Sequence, residues 1–202
     1  MKRTRILGVV LAAGGGTRWV TAGGSGHKLL AQLPDGRAVV AASVGAALAA
    51  EVDDVCVVTG SVDIDGVLPA GVHIAHIAHN EHWADGQATS LRVAIDWAER
   101  HGYDAIVVGL GDQPWVGSDA WSAVAERTRL SSLPIVVPTF GGKRGQPVGL
   151  RREVWAALPT EGDAGARILI AQVPELVDEF PCAGDQRLLT DIDTPGDLSS
   201  WN

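Results

Sequence analysis

The stretch Ile6–Arg18, ILGVVLAAGGGTR, runs from near-continuous apolar residues into three consecutive glycines and an arginine. An apolar run of this kind, β-branched and unalternating, fits a strand buried on both faces of a parallel sheet. Its basic approach resembles a secretory leader, but the run from Ile6 to Ala12 is too short and opens into glycine and polar residues, so it reads as strand one. In an open parallel sheet, ligands bind beyond the carboxyl ends of the strands, where this glycine loop must lie. Gly14, Gly15 and Gly16 can turn backbone amides toward an anion without a side chain in the way. Arg18 adds a fork of charged donors, and Lys28 a second cation at the far end of the loop. These are the parts needed to hold a triphosphate. A flexible strand-to-helix connection is the plainer alternative. The spacing around Lys28 does not give GxxxxGK[ST], and Leu11–Thr17 contains no clean GxGxxG, which disfavours a Walker-type NTPase and a dinucleotide fingerprint.

Outward from the loop, helix-like and strand-like segments alternate. Ala38–Ala50 predicts a helix, Val55–Val58 a second strand and Val72–Ile77 a third. Gln87–Arg100 places Leu91, Ala94, Ile95 and Ala98 on one helical face. Tyr103–Leu110 predicts a fourth strand, Ser118 the N-cap of a helix ending near Thr128, and Ile135–Val137 a fifth strand. Short helices are expected around Glu153–Leu158 and Ala164–Gln172, with short strands at Leu176–Phe180 and Arg187–Leu189. The alternation argues a single α/β domain over residues 1–202, a three-layer sandwich with a mostly parallel central sheet.

Composition narrows the function. The 16 basic against 24 acidic side chains give a formal charge of -8, which leaves a duplex-binding surface without support. No apolar segment approaches the length of a membrane span, so a cytoplasmic protein is expected. Cys56 and Cys182 form no metal-ligand pattern and read as reduced thiols. His73, His76 and His79 do not share one face of a strand and are not read as a metal cluster.

Two acidic clusters carry more information. Asp112, in GDQP (Gly111–Pro114), follows the apolar AIVVGL and sits at the carboxyl end of a strand, as a metal ligand, a ribose acceptor or a turn cap. Asp191 and Asp193, two apart in DIDTP, point the same way if the segment is extended. If either faces Asp112, the pair makes a hard oxygen site for magnesium on nucleotide phosphates. Asp197 reads as a helix-start residue behind Pro195.

In this order the motifs resemble the nucleotidyltransferases that activate the molybdenum cofactor, within the MobA-like NTP transferase group, over essentially the whole chain. LAAGGGTR with Lys28 matches the opening loop; Asn80, Trp83, Gly86, Ser90 and Leu91 match the central stretch; GDQP is unchanged. Gly145, Gln146, Pro147 and Val148 stand for Gly-His-Pro-Val, Gly162–Arg167 gives Gly-Asp-x-Gly-Ala-Arg, and Asp191–Pro195 closes the series. The LAAG start and GDQP look more like the cytidylyltransferase branch. Departures are Gly16-Thr17 in place of a Ser-containing form, a long spacer from Trp19 to His27, and Gln146 where many relatives have His; they leave the transfer reaction intact and bear on the acceptor and the base.

The resemblance implies a Rossmann-like nucleotidyltransferase fold and transfer of CMP from CTP to the phosphate of molybdopterin with release of pyrophosphate. It implies catalytic roles for Arg18, Lys28, Asp112 and Asp193, with Mg2+ on Asp112 and Asp193 helped by Asp191. Leu11, Ala12, Ala13, Gly14, Gly15, Gly16, Thr17, Gly86, Ser90, Gly111 and Gln146 would line the substrates. Ser90 is read as an acceptor-phosphate donor or a cap, with Gln87 and Thr89 as weaker candidates, Trp83 as a pocket wall or core, and Lys143 and Arg144 as a loop over the acceptor or a solvated one. Asp163 and Arg167 are read as a helix-start ion pair or acceptor contacts. The expected partners are small molecules and a molybdoenzyme client, the expected state a monomer or weak homo-oligomer. The competing readings are the same chemistry on a sugar, polyol or phospho-acid acceptor, a molybdopterin carrier without catalysis, and a dinucleotide-binding oxidoreductase.

Overall fold

The computed structural model describes residues 3–68, 74 and 76–199. Its strands are β1 (Ile6–Ala12), β2 (Asp54–Thr59), β3 (His76–His79), β4 (Ala105–Leu110), β5 (Ile135–Phe140), β6 (Lys143–Arg144), β7 (Val148–Arg151) and β8 (Val177–Pro181). They form one sheet in the order β3-β2-β1-β4-β7-β5-β6, with β8 on β5. The β1–β2, β1–β4, β2–β3 and β5–β8 pairs are parallel, while β7 runs antiparallel between β4 and β5. Around it lie α1 (Thr17–Thr21), α2 (Val39–Leu48), α3 (Gln87–Arg100), α4 (Ser118–Leu130), α5 (Arg167–Gln172) and α6 (Pro195–Ser199). The expected α/β sandwich with a largely parallel sheet is therefore present.

Strand periodicity divides the core into two layers. Leu7 and Val9 of β1 and Ile106 and Val108 of β4 pack with Leu91, Ile95 and Ala98 of α3. Ile6, Val10, Ala105 and Val107 point the other way, onto Val40 and Val44 of α2 and Trp121 and Val124 of α4. Burying one such aliphatic side chain contributes about 1.5–3 kcal/mol, so α3 is held by its apolar stripe rather than by helix propensity. A third cluster of Trp19, Leu33, Val39, Ala42 and Ile192 lies outside these layers. It accounts for the long spacer: the chain from Trp19 to His27 wraps its own tryptophan, whose Nε1 donates to the Ser25 carbonyl at 3.2 Å.

Several expectations are corrected in detail. Ser118 is the first residue of α4, and Gly117 occupies the N-cap with no side-chain bond. Arg187–Leu189 is a single 3-10 turn rather than a strand, because Asp185 caps it by accepting from the Arg187 amide at 2.8 Å. Glu153–Leu158 is likewise replaced by a 3-10 segment, Arg152–Ala157, and the helix expected from Ala164 begins at Arg167. The third strand is His76–His79; residues 72, 73 and 75 of its expected range lie outside the described residues. Among the described residues no helix is long and apolar enough to cross a membrane. Cys56 and Cys182 are free thiols, and burial pushes that of Cys56 up to about 12.

The sheet order positions the site. β1 and β4 are adjacent and parallel, so Ala13–Gly16 and Gly111–Pro114 leave the same edge side by side, joined where the Gly111 amide donates to the Leu11 carbonyl at 2.8 Å. Because β7 is antiparallel to β4 and pairs Val148 with Val108, the residues that precede it, Gly145–Pro147, arrive at that same edge.

Candidate active site

The C-terminal segment reaches the GDQP turn through one backbone bond, the Ile192 amide donating to the Asp112 carbonyl at 2.9 Å. Ile192 is fully buried between its two acidic neighbours, so both carboxylates project away from it as the two-residue spacing predicts. Asp193 is set further by α6: its amide donates to Asp197 Oδ2 at 3.0 Å, and the Thr194 amide and hydroxyl donate to the same oxygen. Asp197 is thus the helix-start residue expected of it.

Lys28 joins the two clusters. Its Nζ donates to Asp112 Oδ2 at 2.6 Å and to Asp193 Oδ1 at 2.9 Å, while the Arg18 guanidinium pairs with the other oxygen of Asp193. The Lys28 side chain is only 10% exposed. Burial alone would lower its pKa, but Asp112 and Asp193 outweigh that and hold it above the ordinary lysine value. Asp191 is separate. It accepts from Gln113 Nε2 at 2.8 Å, and burial, then repulsion from Asp112, raise its pKa. The three aspartates therefore meet, but Asp112 and Asp193 share a cation that Asp191 does not.

Three cavities converge on Asp112. One of about 390 Å3 is walled by Gly14–Arg18, Lys28 and Asp193. A second, of about 340 Å3, lies among Leu11, Ala13, Trp83, Gly86 and Ser90. A third, of about 520 Å3, is lined by Gln113, Arg144, Gln146, Arg167 and Asp191 over an apolar floor that includes Val137 and Val148. Gln87 and Asp112 border all three. Leu11 and Thr17 border both of the first two, Ala12 lines the first and Ala13 the second. Gly111 stays beneath, its carbonyl receiving the buried Ser43 hydroxyl at 3.1 Å.

The central motif builds the wall of the second cavity. Trp83 is not a core residue: its half-buried ring lies so close over Gly15 that a Cβ there would come within 2.8 Å. Gly86 begins α3 with φ 110°, and an added Cβ would sit 2.4 Å from the Gly162 carbonyl carbon, so only glycine fits. Ser90 does not cap the helix. Gly86 holds that position, and Ser90 Oγ accepts from Asn80 Nδ2 at 2.9 Å. Asn80 also donates to Thr89 Oγ1 and accepts from the His82 amide, which makes it the knot of this turn. Arg144 lies on β6 and pairs with Glu179, Lys143 is exposed beside it, and Arg167 opens α5 without an ion pair to Asp163, reaching only that residue's carbonyl at 3.5 Å. His76 stacks on Trp97, His79 is exposed, and His73 lies outside the described residues.

His27, Ser61 and Gln113 escape a reading of the sequence, whereas Gln87, a weaker acceptor-side candidate there, borders all three cavities. Gln113 lies inside GDQP and His27 directly precedes Lys28, so position alone marks them; for Ser61 no local signal exists.

A divalent cation can be tested against this geometry. Two carboxylates already converge on one positive centre, and hard oxygen donors in that number suit a magnesium-like ion that keeps the rest of its shell for phosphates and water. Arg18 and Lys28 are balanced by Asp112 and Asp193, so a polyanionic triphosphate must bring compensating charge with it. Among the described residues no group of three or more metal-ligating side chains stands together, so the protein offers such an ion these two carboxylates and leaves the rest of its shell to phosphates and water.

With the site assembled, comparison places the chain. Residues 8–177 match the MobA-like NTP transferase domain. The chain belongs to this family. Nicotine blue oxidoreductase of Paenarthrobacter nicotinovorans is 33% identical over 204 residues, 94% of this chain and 92% of that protein. The crystal structure of Rv0371c from Mycobacterium tuberculosis H37Rv is 26% identical, with a TM-score of 0.80 over 99% of this chain and 98% of its own. That protein was also solved in complex with manganese, a match at 24% identity and a TM-score of 0.76 that covers 98% of this chain and 97% of the other. A Methanothermobacter nucleotidyl transferase shares the fold at 24% identity and a TM-score of 0.81, covering 97% and 95% of the two chains. A MobA-like member with the nucleotidyltransferase fold is what these likenesses establish.

Proposed function

We propose that the protein transfers a nucleotidyl group from a nucleoside triphosphate to a phosphorylated small molecule and releases pyrophosphate. One observation carries this reading: Arg18, Lys28, Asp112 and Asp193 interlock beneath the glycine loop, at the point where three compartments meet. The compartment under Gly14–Arg18 would take the triphosphate, the one beside Trp83 and Leu11 the nucleoside, and the one lined by Gln113, Gln146 and Arg167 the acceptor. An acceptor phosphate oxygen attacks the α-phosphorus, the bond to the bridging α–β oxygen breaks, and pyrophosphate leaves with the electron pair. The acceptor is already anionic near neutral pH, so the work is positioning and charge neutralisation rather than proton removal. Lys28 and Arg18 stabilise charge on the leaving group, and removing a donor of this kind typically costs about 3 kcal/mol, roughly a hundredfold in rate. Asp112 and Asp193 would hold a divalent ion such as Mg2+, which when bound neutralises phosphate charge. The manganese complex of Rv0371c supports this.

The finer reading is CTP as donor and molybdopterin as acceptor, supported by the LAAG opening and the unchanged GDQP; Gln146 at the acceptor cavity leaves room for another phosphorylated acceptor. The test is pyrophosphate release with CTP, GTP, ATP and UTP plus magnesium, against molybdopterin and a panel of sugar and polyol phosphates. Release that requires one acceptor and vanishes in Asp112→Asn supports the proposal; nucleotide binding without release in every combination refutes it in favour of a carrier. The 33% identical relative, named an oxidoreductase, favours a second reading, a dinucleotide-binding oxidoreductase. Oxidation of a reduced nicotinamide without pyrophosphate release would select it.

A further inference from the structure

His27 links two parts of the triphosphate compartment without lining it. Its Nδ1 accepts from the Leu29 amide at 3.2 Å and thereby caps the single 3-10 turn, Lys28–Leu30, that carries Lys28. Its Nε2 lies 3.0 Å from the Gly14 carbonyl and 3.1 Å from Ser61 Oγ, and the Ser61 hydroxyl donates to the same carbonyl at 2.7 Å. A ring whose Nδ1 accepts must carry its proton on Nε2 when neutral, so both His27 and Ser61 donate to Gly14. In a trans peptide the carbonyl and the following N–H point in opposite directions. Fixing the Gly14 carbonyl on His27 and Ser61 therefore aims the Gly15 amide the other way. A second bond, from the Ser61 amide to the Ala13 carbonyl at 3.2 Å, does the same for Gly14.

We propose that His27 is a positioning residue that couples the glycine loop to Lys28, setting both for the triphosphate only while its imidazole is neutral with the proton on Nε2. The inference rests on the transferase reading for its ligand but not for its geometry. Protonating Nδ1 would turn it from acceptor to donor against the Leu29 amide and place a second positive charge beside Lys28. The groups that face the ring are Gly14 and Gly16 from the loop, Ser61 after β2, and Lys28 and Leu29 from the turn; of these only Lys28 is charged. Burial first, then the Lys28 charge, lower the His27 pKa despite the Gly14 carbonyl, which keeps the neutral form dominant at neutral pH.

Two measurements test this. Nitrogen-15 NMR of the histidine rings in the wild-type protein should show His27 as the Nε2–H tautomer, titrating below the ordinary histidine range. Affinity for a non-hydrolysable CTP analogue with magnesium should then be followed from pH 5 to 8 in wild type, His27→Asn, His27→Gln and His27→Phe. Asparagine can imitate only the Nδ1 cap and glutamine only the Nε2 donor. Each should bind several-fold more weakly at pH 7.5, and phenylalanine about tenfold or more. All three should lose the component of the acid-side fall in affinity that belongs to His27, leaving the part due to the ligand's own protonation. An Nδ1–H tautomer, or variants that bind within twofold of wild type with its pH profile, overturns the proposal. If none of the proteins binds a triphosphate, the transferase reading fails, and the NMR result alone decides whether His27 has the assigned form.

Discussion

Replacing Lys28 with methionine removes the ammonium on which Asp112 and Asp193 converge while keeping most of the buried stem. At 2.6 and 2.9 Å from one nitrogen, the two carboxylate oxygens lie no more than about 5.5 Å apart, and at an effective dielectric of about 20 two unit charges at that distance repel by about 3 kcal/mol. Breaking a buried pair by deleting one partner costs about 3–5 kcal/mol, in agreement. Arg18 remains on Asp193, but its side chain is 76% exposed and it leaves Asp112 unscreened. Lys28→Met should thus lose about 3 kcal/mol at pH 7, which at an m-value of about 2–3 kcal/mol/M moves the urea midpoint down by about 1–1.5 M. Adding Asp193→Asn to Lys28→Met removes one of the facing charges and should recover more than half of that loss. The sign with pH follows from the raised Lys28 pKa: its contribution is complete below the unfolded lysine value and is lost only as pH rises through the higher folded one. Urea unfolding followed by circular dichroism decides the matter. A single variant within about 0.3 M of wild type, or a double variant no better than Lys28→Met, would refute the coupling.

Gly86→Ala forces a side chain onto φ 110° and into the Gly162 backbone, and should cost about 3 kcal/mol, while Gly66→Ala, with open space around it, should stay within about 0.5 kcal/mol; thermal melts compare them. Asn80→Ala takes their Asn80 bond from the buried Ser90 hydroxyl and the His82 amide, while Thr89 keeps its bonds to the His82 and Gly86 carbonyls, and should cost about 2 kcal/mol in the same assay. Asp191→Asn should be more stable than wild type at pH 7, since the folded protein raises the Asp191 pKa and so penalises its charge. That gain should fade on acidification toward the unfolded aspartate value, as the wild-type carboxyl is protonated. A gain that grows with acid would contradict the assignment.

Much of this architecture is legible in the sequence where a local pattern and its physical cause coincide. The β1 run, the glycine loop and the amphipathic face of α3 are each visible within a short window, and each forms as its pattern requires. β7 is not visible: VGLR is four residues long, lacks alternation, and nothing local tells that it reverses direction between β4 and β5. Arg187–Leu189 misleads for a related reason, since an apolar pair beside polar residues suits a strand or a turn, and the Asp185 cap settles it. At the site, Asp112, Asp193, Lys28 and Arg18 stand out by residue type, but their interlocking spans sequence separations of 84 and 165 residues and comes only from the sheet order. Ser90 shows the opposite failure, because a serine near a helix start looks like a cap until Asn80 is seen to claim it.

The reversed strand also divides the labour between halves of the molecule. Everything around the glycine loop hangs on the parallel strands β1, β2 and β4, whereas Gly145 and Gln146 reach Asp112 only because β7 runs backwards into the sheet. The turn between β6 and β7 is therefore an exchangeable cassette. If the proposed transfer holds, a lineage, or an engineer, can redraw Gly145 and Gln146 to suit a new acceptor while the parallel frame around the glycine loop stays as it was.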